Sequence, residues 1–154
     1  MGRKKGTART APILVATDID NQSPDGRSRT RRTLEAAADF SRRLDAELRV
    51  LFVHQPMMPL VFPLESGLLP GYEEEVISDE TRELERLSIP GDGKVRPVRK
   101  EVRTGFPPRE ILKAAKARPR PELVVVGTHG RRGFLRVLLG SVAEEVLRNS
   151  EVPV

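Results

Sequence analysis

Short runs of uninterrupted apolar residues alternate along this chain with longer stretches in which apolar residues recur every three or four positions. Ile13-Leu14-Val15-Ala16 is one such run and stops at Thr17-Asp18. Runs of this kind predict buried strands. A polar loop over 20–26 leads into a helical pattern carrying Leu34, Ala37, Ala38, Leu44 and Leu48. Leu48 to Val53 is a second apolar strand, closed by His54-Gln55-Pro56. Residues 55–72 combine prolines with Met57, Met58, Leu60, Val61, Phe62, Leu64, Leu68 and Leu69. The prolines argue against a regular element, and the apolar content argues against a free linker. A covering segment is expected there.

Residues 73–88 predict an acidic amphipathic helix with Ile77, Leu84 and Leu87 on one face. Its outer face reads as solvated, with Asp79–Arg82 and Glu83–Arg86 pairs. Gly91-Asp92-Gly93 is a turn. Val95 to Val102 alternates apolar and charged residues as an edge strand does, and Pro97 fits only an edge. Gly105-Phe106-Pro107-Pro108 opens a further helix, because proline suits a first turn. Ile111, Leu112 and Ala115 face inward, and Arg118-Pro119-Arg120-Pro121 ends it. Leu123 to Val126 is the most continuous apolar strand and is expected to be central. A last helix spans Ser141 to Asn149, opened by a capping box, Ser141-Val142-Ala143-Glu144. Val152-Pro153-Val154 begins a fifth strand. This strict alternation of strand and helix predicts a single three-layer α/β domain, Rossmann-like, with helices on both faces of a parallel sheet. Right-handed crossovers leave few topologies, and the expected strand order is 3-2-1-4-5.

That order reverses its winding between the first and fourth strands, and ligands of open α/β sheets sit at such reversals. Thr17-Asp18 closes the first strand there, and Gly127-Thr128 closes the fourth. Val124-Val125-Val126 runs into Gly127-Thr128-His129-Gly130, and nine residues then lead to Gly140-Ser141 and a helix. Exposed backbone N–H groups beside a helix N-terminus favour an anion, and glycine lets the backbone come close. Arg131, Arg132 and Arg136 add charge of matching sign. The segment reads as a nucleotide phosphate site. Taken singly, each glycine fits a plain turn, and the arginines fit a solvated loop. Asp18 either accepts from a ribose hydroxyl, approaches a phosphate-bound magnesium ion, or caps its own turn. His129 lies between glycines without an identifiable partner, and His54 reads as a packing histidine.

Composition narrows the alternatives. With 154 residues, one domain is expected, preceded by a basic disordered tail over 1–11, so that 12–154 form the folded unit. The tail holds Arg3, Lys4, Lys5 and Arg9. Removing these four from the net charge of +5 leaves +1 for the body, so charge is weak evidence for nucleic acid. Five phenylalanines and one tyrosine offer little base stacking. There are no cysteines, which excludes thiol catalysis and Cys-ligated zinc and fits a cytoplasmic setting. No apolar run reaches the roughly 18 residues of a membrane span. The sequence lacks G-x-x-x-x-G-K-[ST], G-x-G-x-x-G after the first strand, H-E-x-x-H and G-x-S-x-G.

Ile13 to Asp18, Leu51-Phe52-Val53-His54, Val102 to Gly105 with Ile111, and Leu123 to Gly130 resemble the universal stress protein family in order and spacing. The resemblance covers about residues 12–154. Its most specific part is Gly127-x2-Gly130-x9-Gly140-Ser141, which matches the signature of the ATP-binding branch. The resemblance implies a homodimer that binds ATP, with magnesium, as a regulatory switch in stress physiology. It places Ala16, Thr17 and Asp18 on the adenosine side and Val53 against the adenine. It sets Val126 and Gly127 beside the ribose and first phosphate. Gly130, Gly140, Ser141 and Val142 would hold the phosphates. The family usually has a longer last strand, which takes part in dimer pairing. No dedicated general base stands out, so any ATP hydrolysis is expected to be slow or partner-dependent. Two other readings remain: a magnesium-dependent ATPase or adenylate-handling enzyme using Asp18, and a nucleic-acid-associated protein using the tail with Arg27, Arg29, Arg31 and Arg32.

Overall fold

A computed structural model describes residues 11–19, 24–56, 72–90, 98–128 and 139–154. Four strands and four helices alternate: β1 (Ile13–Ala16), α1 (Pro24–Leu44), β2 (Leu48–His54), α2 (Tyr72–Arg86), β3 (Val98–Thr104), α3 (Pro107–Lys116), β4 (Leu123–Val126) and α4 (Ser141–Asn149). The strands pair in parallel in the order β3-β2-β1-β4.

The pleat sends successive side chains of each strand to opposite faces, and two separate cores result. Ile13, Val15, Leu48, Val50 and Phe52 point to one face, where Leu34 and Ala37 of α1 and Leu84 of α2 meet them. Leu14, Ala16, Leu51 and Val124 point to the other, against Ile111, Ala114 and Ala115 of α3 and Val146 of α4. A chain that steps β1→β2→β3 and then returns past β1 must, with right-handed crossovers, carry its later helices on the opposite face. The two cores have that distribution. β1 is buried along its whole length because both faces and both edges are covered.

Several boundaries differ from expectation. Helix α1 begins at Pro24, inside the expected polar loop, since proline lacks only an N–H that a first turn does not use. β3 is the edge strand that its alternation predicts. β4 is not central. It pairs with β1 on one side, and on the other, among the described residues, meets the segment after α4, where the Val124 N–H donates to the Pro153 carbonyl at 2.9 Å. The expected fifth strand is not formed: residues 151–154 follow α4 without strand pairing beyond that bond. The apolar continuity of β4 reflects helices on both faces rather than strands on both edges. The tail over 1–10 and most of the proline-rich segment, 57–71, lie outside the described residues. No helix among the described residues is long and apolar enough to cross a membrane.

Candidate functional site

The carboxyl ends of β1 and β4 stop at the same level, with Ala16 registered against Val126. Beyond them lie Thr17-Asp18 and Gly127-Thr128, so the two segments expected to meet at the winding reversal do so. The Thr17 N–H donates to the Leu51 carbonyl at 3.1 Å, tying this end to β2 as well. β2 runs on past Leu51, the partner of Ala16, to Val53 and His54. Ala16, Val53, Val126 and Val142 all lie in or against the core on the α3/α4 face. They form an apolar floor on the side of the sheet from which α4 starts.

The second half of the glycine pattern is brought to the same place by one bond. The Gly140 N–H donates to the Thr128 carbonyl at 2.7 Å, closing the long connection into a neck between the end of β4 and the start of α4. Gly130, His129 and the arginines 131, 132 and 136 belong to that connection and lie outside the described residues. Gly140, not Ser141, is the N-cap of α4, with extended backbone and no side-chain capping bond. Ser141 is the first helical residue and is exposed, so the expected capping box does not form. The first N–H groups of a helix have no intrahelical acceptor, and they carry its partial positive charge. Among the described residues no side chain caps these donors at α4, and the adjoining backbone has no Cβ at Gly140 or Gly127. That arrangement can bind an anion through main-chain donors, and no side chain is needed for the contact.

Helix α1 supplies two residues that periodicity and motif did not single out. Thr30 is buried, and its hydroxyl donates to the Asp18 carbonyl at 2.7 Å. Thr33, one turn on, donates to the Arg29 carbonyl and places its oxygen 3.2 Å from where a Cβ on Gly127 would lie. The available signal was position: Thr30 shares the inward stripe of Leu34, Ala37 and Ala38, where a polar residue requires a partner. His54 ends β2 and is largely buried, with Nδ1 2.8 Å from Glu80 Oε2 of α2. Its carbonyl accepts from the Gly105 N–H at 2.8 Å. Among the described residues no three His, Asp or Glu side chains converge to hold a metal ion. Asp18 is half-buried and hydrogen-bonded through its backbone carbonyl, in keeping with a turn that is held by its neighbours.

The fold is found in known proteins. The universal stress protein YxiE of Bacillus subtilis is 32% identical over 139 residues, covering 84% of this chain and 91% of its own. The structure of the universal stress protein UspA from Lactobacillus plantarum superposes with a TM-score of 0.59 at 24% identity, covering 96% of this chain and 97% of that one. A universal stress protein from Archaeoglobus fulgidus, solved in complex with dAMP, has a TM-score of 0.51 at 23% identity, with 94% of each chain covered. A family model described as the universal stress protein family matches residues 10–154. With the parallel sheet, its reversal point and the glycine neck all falling inside that span, the chain belongs to the universal stress protein family.

Proposed function

We propose that this protein binds ATP at the crevice between β1 and β4 and uses the nucleotide as a regulatory ligand. The observation that carries the reading is the neck. The bond from Gly140 to Thr128 holds the end of β4 against the uncapped start of α4, beside the β1 end. Anions of the phosphate type suit such a site because main-chain donors are already in position. Ala16, Val53 and Val126 supply an apolar surface for the adenosine. Gly127 flanks the ribose and first phosphate, Gly130, Gly140, Ser141 and Val142 hold the phosphates, and Thr17 and Asp18 line the adenosine side. Magnesium would enter bound to the phosphates, with Asp18 offering a carboxylate at the end of β1. The complex of the Archaeoglobus relative with dAMP supports an adenine nucleotide. On this reading residues 12–154 are the nucleotide-binding unit, 1–11 a basic extension, and the assembly a homodimer.

A switch ligand favours whichever conformation binds it better. The test is mass analysis of nucleotide released on denaturing the purified protein, with magnesium-ATP titration by calorimetry. Adenine nucleotide in the parent and none in Gly127→Val is expected. An empty parent that also gives no heat with magnesium-ATP overturns the reading.

A further inference from the structure

Gly127 invites a second explanation beside the approach of a phosphate. Its backbone does not lie in the left-handed region that demands glycine, so conformation does not select it. What a side chain there would meet is specific. Among the described residues, the atom within 4 Å of a Cβ at 127 is Thr33 Oγ1, at 3.2 Å. That separation is tighter than ordinary van der Waals contact, so one side must yield. Thr33 is poorly placed to yield. It is β-branched and stiff at χ1 within a helix, and its hydroxyl is engaged with the Arg29 carbonyl at 3.1 Å.

Thr30 adds a second hold from the same helix. It is fixed to the Asp18 carbonyl beyond β1, whereas Thr33 Oγ1 stands 3.2 Å from the place a Cβ on Gly127 would take beyond β4. Residues three apart lie on one helix face. Helix α1 thereby faces both walls of the crevice with two hydroxyl-bearing side chains one turn apart. We infer that Thr33 is a positioning residue, which sets the distance of the Gly127 backbone from the β1 end and so tunes the site without touching ligand. Its effect on affinity rests on the nucleotide reading of this site, but its packing against Gly127 does not.

A double-mutant cycle between Gly127→Ala and Thr33→Ala tests this, read by thermal midpoint and by magnesium-ATP calorimetry on the full chain. Gly127→Ala is expected to lower Tm by about 3 °C or more, as overpacking does. It is also expected to weaken binding roughly tenfold. Adding Thr33→Ala opens the space, and recovery of most of both losses is the expected result. A double variant no more stable than Gly127→Ala overturns the packing role. Recovery of Tm without recovery of affinity overturns the positioning role, because glycine would then be needed by the ligand itself. A parent that binds no nucleotide defeats the nucleotide reading alone, and the Tm cycle still decides the contact with Thr33. If the Gly127→Ala chain does not fold, Thr33→Ile presses on the same glycine from the helix side. Weakened magnesium-ATP binding is then expected, and parental affinity overturns the inference.

Discussion

Thr30 makes the clearest single-residue case. Its side chain is buried at 4% exposure, and its hydroxyl reaches the Asp18 carbonyl at 2.7 Å. Replacing it by valine keeps the shape and removes the shorter of two bonds to that carbonyl, Thr17 Oγ1 donating the other at 3.1 Å, which costs about 1 kcal/mol. Thr30→Val is therefore expected to lower the urea midpoint at unchanged slope, and Thr30→Ser, which keeps the hydroxyl, to lie nearer the parent. Equal loss in both variants would show that packing of the methyl, and not the bond, holds the turn. Gly105 is a backbone case of a different kind. Its φ of 146° lies where side chains are strained, and a Cβ would also approach Glu110 Cγ to 3.2 Å. Gly105→Ala is expected to cost about 1–3 kcal/mol in the same titration. Gly127 and Gly140 were legible in the sequence because an apolar strand and a helix bracket them at fixed spacing. Thr30 and Thr33 were not, because their meaning depends on which face of α1 turns inward. Four arginines among residues 27–32 drew attention to the outward face instead.

At the scale of elements, hydrophobic period was a good guide wherever a segment has one face to bury. All four helices and four strands were legible in this way, and β3 was recognisable as an edge. Neighbour relations across the sheet were harder. A fully apolar four-residue run arises whenever both faces are covered, so β4 looked central although one of its edges meets, among the described residues, the segment after α4. That segment is held by several small contacts. Val152 is buried in the α3/α4 core, and Ser150 Oγ bonds to the Val152 backbone. Glu151 is gripped by Lys116 Nζ and by Arg120, both at 3.0 Å. The hydrogen bond and charge of Lys116, and then the charge of Arg120, hold the Glu151 carboxyl below its ordinary value of 4.5. A carboxyl lowered in the folded state contributes above its unfolded value, and the contribution is lost as pH falls through the lowered one. The loss is thus confined to acid below about pH 4.5. Exposed pairs of this kind are worth little globally and are screened by salt. Glu151→Gln is accordingly expected to leave Tm near the parent's at pH 7. Hydrogen exchange at the Val124 amide, which bonds to Pro153, is expected to quicken. Unchanged protection at Val124 would mean that Val152 alone anchors the segment.

At the scale of the whole molecule, the doubly wound topology makes the proposed site a junction. β1 pairs with β2 and with β4 over four positions each, while β2 and β3 pair over seven. The sheet therefore joins its two winding directions through one short strand, and the crevice opens at the end of that strand. A ligand that contacts Thr17 on one wall and Gly127 and Gly140 on the other bridges this junction directly. Binding only to the native state stabilises it by about 2.7 kcal/mol at a free concentration of one hundred times Kd. For a chain of this size that raises Tm by about 5–10 °C. The gain is also expected to be local. Amide exchange slows at Thr17, Gly127 and Gly140 when magnesium-ATP is added and stays unchanged along β3 from Arg99 to Thr104, which lies on the far edge. Gly127→Val abolishes both effects, since its side chain fills the approach to the neck and meets Thr33. A rise in Tm that survives this substitution, or protection spread evenly over the sheet, would place the bound nucleotide somewhere other than the reversal between β1 and β4.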